Sequence, residues 1–215
     1  MPELVSIPSP GAALEYGTPG DPLVVVVHDW FGRLPGLEFY AEALVRQGFR
    51  VVVPDLYDGV ATTDEHTAHL LMDSLDIGRA LAIVDEAVTT GRTQGSSHVG
   101  VVGFSVGGWI ALLHAQGGAV DAVVAYYASL EAKDHGVIPS PVQLHLAETD
   151  SWSAGQEPES FVDRLREHGT PVTQFTYAGT VHGFANATIH STLDARAAAL
   201  AYARVARFLE SHLLE

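Results

Sequence analysis

Leu23-Val24-Val25-Val26-Val27 is an apolar run without a single polar position. A strand with one wet face alternates apolar and polar residues, so an unbroken β-branched run belongs to a sheet covered on both faces, and such sheets are mostly parallel. Further strands are read at residues 49–53, closed by Pro54-Asp55, and at 99–102, 122–127, 142–146 and 172–177. Helix-compatible stretches separate these runs. In residues 36–47, Leu37, Tyr40, Ala41, Leu44 and Val45 fall on one side before Gly48. Residues 64–90 form one long or broken helical region with Leu70, Leu71, Leu75, Leu81, Val84 and Val88 on its apolar faces and Gly78 as a possible interruption. Further helices are expected after residue 105, over 158–168 and over about 192–212.

Strands alternating with helices through short connectors predict an α/β fold, a mostly parallel central sheet with helices on both faces. Two short segments at 3–7 and 12–16, divided by Pro8, Pro10 and Gly11, read as an antiparallel edge. No linker or internal repeat divides the chain, so residues 1–215 are expected to form a single domain. Residues 129–141 are the main candidate for a short excursion at the rim, with no room for a large lid domain.

Composition narrows the function classes. The chain has no cysteine, which excludes thiolate catalysis, disulfides and Cys-ligated metals. Acids outnumber lysine plus arginine 26 to 11, a formal charge of −15 that opposes stable association with nucleic acid or an anionic membrane face. No run approaches the roughly 20 apolar residues of a membrane span, and the first residues lack a basic start followed by an apolar core, so the expectation is a cytoplasmic protein without a membrane partner. Leu214-Glu215 read equally well as native sequence or as a vector remnant.

The chemistry is expected at Gly103-Phe104-Ser105-Val106-Gly107-Gly108, between the run 99–102 and the helical stretch 109–114. A serine flanked by glycines on a sharp strand-to-helix turn is held out as a nucleophile, and bulkier neighbours would clash in so tight a turn. Such a hydroxyl needs a base. Of the eleven histidines, His182 is best placed, in the glycine-bounded segment Gly179-Thr180-Val181-His182-Gly183-Phe184 between the last strand and last helix. Asp150, just beyond the preceding strand, could orient the imidazole and offset its charge, with Glu148 as the local substitute. The order serine, aspartate, histidine is the hydrolase order. Backbone amides of Trp30 and Val106 are the candidate oxyanion donors, with Gly32 allowing close backbone approach. His28 reads as core or supporting structure. His66 and His69 have helical spacing but no convincing third ligand, so no metal is expected. The glycines around Ser105 lack the sequence of a phosphate-cradling loop, so no nucleotide cofactor is expected either.

These segments together, His28-Asp29-Trp30-Phe31-Gly32, Pro54-Asp55-Leu56-Tyr57, the Ser105 turn, Asp150 and His182-Gly183-Phe184-Ala185, resemble the dienelactone hydrolase family of the α/β-hydrolases over nearly the whole chain. The resemblance implies an α/β-hydrolase fold without a separate lid domain and cleavage of esters or lactones through an acyl-enzyme. It assigns Ser105 to the nucleophile, Asp150 to the acid, His182 to the base, and Trp30 and Val106 to the oxyanion amides. The chain departs from the family pattern at three positions: serine replaces the usual cysteine at 105, aspartate the usual glutamate at 29, and asparagine an anion-holding arginine at 186. These changes shift the expectation to a small, neutral carboxylic ester, with water as second substrate and Asp29, Phe31, Tyr57, Phe184 and Asn186 as pocket residues. The alternatives are a lactone hydrolase, a thioesterase, amidase or peptidase with the same constellation, or a non-catalytic binding module. The protein is expected to act as a monomer or small homo-oligomer.

Overall fold

The computed structural model describes residues 3–7, 10–152 and 158–214. Seven strands form one sheet: β1 (Leu14–Tyr16), β2 (Leu23–Val27), β3 (Arg50–Val53), β4 (Val99–Phe104), β5 (Ala122–Tyr126), β6 (Val142–Thr149) and β7 (Val172–Val181). Their order is β1-β3-β2-β4-β5-β6-β7, with only β1 antiparallel to its neighbour. This is the mostly parallel α/β sheet expected from the alternation of strands and helices, in keeping with the fold that the family resemblance implies.

The helices are α1 (Gly36–Val45), α2 (Glu65–Asp73), α3 (Ile77–Thr93), α4 (Val106–Ala115), α5 (Pro158–Glu167) and α6 (Ala195–Leu209), followed by a π-helical turn at Glu210–Leu214. Strand β2 shows why both faces are covered. Leu23, Val25 and Val27 pack with Val84 and Val88 of α3 and with Ile110 and Leu112 of α4, in the same core as Phe161 of α5. Val24 and Val26 point the other way, into a core shared with Ala41 and Leu44 of α1 and Ala201 and Val205 of α6. All five side chains are fully buried, each contributing about 1.5–3 kcal/mol of transfer free energy. A third cluster joins Ala68 and Met72 of α2 to Trp30, Phe31 and Leu34, so α2 covers the loop that leaves β2.

Some boundaries differ from the sequence reading. Residues 3–7 make only an isolated bridge, Leu4 to Thr62, instead of a strand, and the separating Pro8 lies outside the described residues. The helical region breaks at residues 74–76, where the Asp76 side chain caps α3 by accepting from Arg79 N–H, and Gly78 lies inside the first turn of α3. Leu70, expected on an apolar face, is exposed. The last helix begins only after Asp194, whose side chain accepts from Ala197 N–H.

No lid is built among the described residues. The segment 129–141 is pinned to the body, with Arg164 donating to Leu130 O at 2.6 Å and Gln116 donating to Asp134 O at 2.9 Å. No helix among the described residues is long and apolar enough to cross a membrane. Leu214 is exposed, and Glu215 lies outside the described residues.

Candidate active site

Ser105 sits between the end of β4 and the start of α4 with φ 53° and ψ −119°. A non-glycine residue in this region costs about 1–3 kcal/mol and persists only where its surroundings enforce it. Two backbone bonds do so here: Ser105 N–H donates to Tyr126 O at 3.0 Å, and Trp109 N–H donates to Ser105 O at 2.9 Å. The glycines are required by space. A Cβ on Gly103 would lie 2.1 Å from Gly107 O, and one on Gly107 would lie 2.3 Å from His28 O.

The turn, the β6 end and the β7 end meet. Ser105 Oγ is 2.8 Å from His182 Nε2, and His182 Nδ1 is 2.9 and 2.8 Å from the two oxygens of Asp150. A carboxylate accepts, so Nδ1 carries the proton and Nε2 faces the serine hydroxyl as an acceptor. Asp150 is further oriented by Trp152 N–H at 3.0 Å. A register irregularity between Ala147 and Thr149 in the β6–β7 pairing precedes Asp150, the kind of local bend that re-aims a side chain. Glu148 is engaged elsewhere, accepting from Gly179 N–H at 2.9 Å.

The loop after β2 is organised by its own side chains. Asp29 Oδ1 accepts from Phe31 N–H at 3.0 Å and Asp29 O from Gly32 N–H at 3.2 Å, while the Trp30 N–H makes no hydrogen bond among the described residues. The Val106 N–H, in the first turn of α4, has no partner within that helix. Because Gly107 has no side chain, the first turn of α4 approaches the β2 end, with Val27 O only 2.6 Å from where a Cβ would stand. Gly32 (φ 86°) serves a different approach from the one expected: a Cβ there would lie 2.6 Å from Val60 O, so this glycine seats the loop on its neighbour.

His28 is fully buried, with Nδ1–H donating to Asp29 O at 2.7 Å and Nε2 accepting from Leu56 N–H at 3.0 Å. Desolvation by burial lowers its pKa to about 4. It ties two loops together and does not touch Ser105. Asp29 is also buried, and desolvation raises its pKa to about 6 against the opposing bonds from Asn186 and Phe31 and the nearby His182. Asn186 donates to Asp29 Oδ2 at 2.7 Å.

A cleft of about 230 Å³ opens over Ser105, walled by Met72, Val106, Trp109, Tyr127 and Trp152. A narrow recess of about 40 Å³ that shares Ser105 and His182 with the cleft is walled by Asp29, Trp30, Phe31 and Asn186. Two expected pocket residues lie elsewhere. Tyr57 is buried against His28 with ring centroids 5.0 Å apart, and Phe184 is fully buried beside Tyr177 at 4.9 Å. Both aromatic side chains turn into the core, where their area is worth more than at a solvent-filled wall. Met72, Trp109, Tyr127 and Trp152 of the cleft wall were not anticipated from the sequence. Trp109 had a usable signal, since position i+4 from Ser105 lies on the same helix face; Trp152 and Met72 had none in the local sequence.

No lysine or arginine borders the cleft or recess among the described residues. Arg33 is buried, donating to Val53 O at 3.2 Å, and Arg79 pairs with Asp58 at 2.6 Å. His69 faces Asp73 at 3.5 Å, and no group of three or more metal-ligating side chains occurs among the described residues.

The model of the dienelactone hydrolase family matches residues 12–213. A carboxymethylenebutenolidase of Pseudomonas putida is 29% identical over 203 residues, covering 87% of this chain and 85% of that protein. Protein usf of Aquifex pyrophilus is 26% identical over 215 residues, covering 94% and 92%. Among solved structures, a dienelactone hydrolase-like promiscuous phosphotriesterase from metagenomic libraries superposes with a TM-score of 0.79 at 22% identity, covering 91% of this chain and 88% of that one. The Pyrobaculum calidifontis esterase superposes with a TM-score of 0.68 at 17% identity, covering 97% and 84%. These structures share the fold.

Proposed function

The chain belongs to the dienelactone hydrolase family, and from that premise we propose that it hydrolyses small, neutral carboxylic esters with Ser105 as nucleophile. The observation that carries this reading is the continuous hydrogen-bonded chain Ser105–His182–Asp150 at a strained turn. His182 Nε2 takes the Ser105 proton as Oγ attacks the ester carbonyl, and Asp150 offsets the imidazolium charge. The Trp30 and Val106 amides receive the oxyanion. Collapse of the tetrahedral adduct expels the alcohol, which leaves with the proton from His182. Water, deprotonated by the same nitrogen, then attacks the acyl-enzyme, and the second collapse returns the proton to Ser105 as the acid departs. No metal or organic cofactor enters this scheme.

Serine in place of the family's usual cysteine makes each step depend on His182, because a hydroxyl is far less acidic than a thiol. The preference for a neutral substrate is supported by the site walls, which offer carboxylates and no cation among the described residues. A carboxylate on the substrate would lose its hydration without gaining a partner. The test is a matched panel of p-nitrophenyl esters, acyl thioesters and anilides. Turnover highest for the esters is the expected result. Higher kcat/KM for thioesters or anilides would replace the ester assignment, and no turnover of any member by folded protein would favour a binding module.

A further inference from the structure

A second cavity, also of about 230 Å³, lies between α1 and α6, lined by Leu37, Phe39, Tyr40, Phe104 and Tyr202 and free of any contribution from Ser105 or His182. Asp29 and Asn186 also line it, and the same two residues wall the recess beside Ser105. The hydrogen bond between these two closes the partition, and Asn186 is itself held by accepting from Thr188 N–H at 2.9 Å. Gly36 N–H donates to Thr188 Oγ1 at 3.0 Å, tying the start of α1 to the same loop, so the cavity is preformed.

One polar group at this cavity, the buried Tyr202 hydroxyl, has no hydrogen-bond partner, and a neutral acceptor would suit it as well as an ion. Asp29 already accepts from two donors, and the Tyr40 and Tyr126 hydroxyls meet each other at 3.4 Å. An apolar cavity of about 150 Å³ suffices to bind benzene. The Tyr40 ring stands edge-on to Phe104 and Tyr202, with centroids 5.2 and 5.3 Å apart, the arrangement into which another ring fits. Phe39 at the mouth is 69% exposed, apolar surface that an occupant would cover.

We propose that the cavity between α1 and α6 is a binding site for an uncharged monocyclic aromatic molecule, separate from the Ser105 cleft. An anion would face the Asp29 carboxylate, and any ion would be stripped of water with no opposite charge and at most the Tyr202 hydroxyl as a partner. The occupant would rest against the back of the loop that carries Trp30.

The test is calorimetric titration of the folded full chain with anisole, using benzoate and benzyltrimethylammonium as charged probes of similar shape. One anisole per chain is expected, undiminished in Ser105→Ala and weakened tenfold or more in Ala198→Trp or Ala43→Phe, two wall positions remote from Ser105. In amide NMR spectra, the Asn186 side chain should shift on anisole addition in the unmodified protein. Absence of anisole binding to that protein overturns the proposal whatever the stability of the variants. So does tighter binding of either charged probe, or saturation that persists with both cavity positions filled.

Discussion

At Ser105 the backbone is bent against the preference of a side-chain-bearing residue, and the bend serves presentation of Oγ to His182. Two substitutions separate strain from chemistry. Ser105→Gly should be more stable than Ser105→Ala by about 1 kcal/mol in denaturant unfolding, because glycine accepts this conformation, and neither variant should turn over esters. Equal stability of the two would mean that the turn stores no strain. Asp150→Asn should retain the native melting profile while kcat falls on the order of 10³- to 10⁴-fold, since the amide neither fixes the imidazole tautomer nor offsets its charge. An unchanged kcat would remove Asp150 from the scheme. The Ser105 turn was legible because glycine, serine and glycine at that spacing have few other uses between a buried strand and a helix. Phe184 and Tyr57 were not, because sequence does not tell which way a loop aromatic faces.

At the level of elements, strand ends and loops are joined by buried neutral histidines. His28 joins the loops after β2 and β3. His145 on β6 donates from Nε2 to Gln143 Oε1 at 2.9 Å and accepts at Nδ1 from the Tyr177 hydroxyl at 2.7 Å, and burial lowers its pKa to about 3. Both folded pKa values lie below the ordinary 6.5, so the unfolded chain binds protons first as pH falls, and stability is lost from about pH 6.5 down toward pH 4 through His28 and toward pH 3 through His145. Asp29 works in the opposite direction, its raised pKa of about 6 favouring the folded state as pH falls from 6 to 4. Two histidines with larger shifts outweigh one carboxyl, leaving a net loss of roughly several kcal/mol. Thermal unfolding should therefore show a falling Tm between pH 7 and pH 4.5, and the slope should flatten in His145→Gln. A flat profile in the unmodified protein would contradict the neutral-histidine assignment. Element existence was legible because β2 and β4 carry unbroken apolar runs; the break between α2 and α3 was misplaced because the Asp76 cap, a local side-chain bond, decides it more strongly than a glycine that a helix tolerates.

Across the whole molecule, parallel pairing brings the ends of β4, β6 and β7 to one edge, so residues far apart in sequence meet there. The whole chain carries a formal charge of −15, so long-range repulsion and a cleft without lysine or arginine among the described residues act in one direction. Neutral esters should exceed matched anionic esters in kcat/KM, by a margin that narrows as salt screens charge beyond about 10 Å at 0.1 M. A tenfold preference for the anionic member at both low and moderate salt would overturn the neutral-substrate assignment. The chain order of serine, acid and base was readable in advance, but the place of Trp152 in the cleft wall was not, because it meets Trp109 and the Ser105 turn only through the fold. The central claim is that Ser105 is the activated nucleophile, and covalent trapping addresses it most directly. A fluorophosphonate probe, followed by peptide mass spectrometry of the folded protein, should place one label per chain on Ser105, with labelling slowed strongly in His182→Ala and absent in Ser105→Ala. Stoichiometric label on another residue, or an unlabelled folded protein, would contradict it.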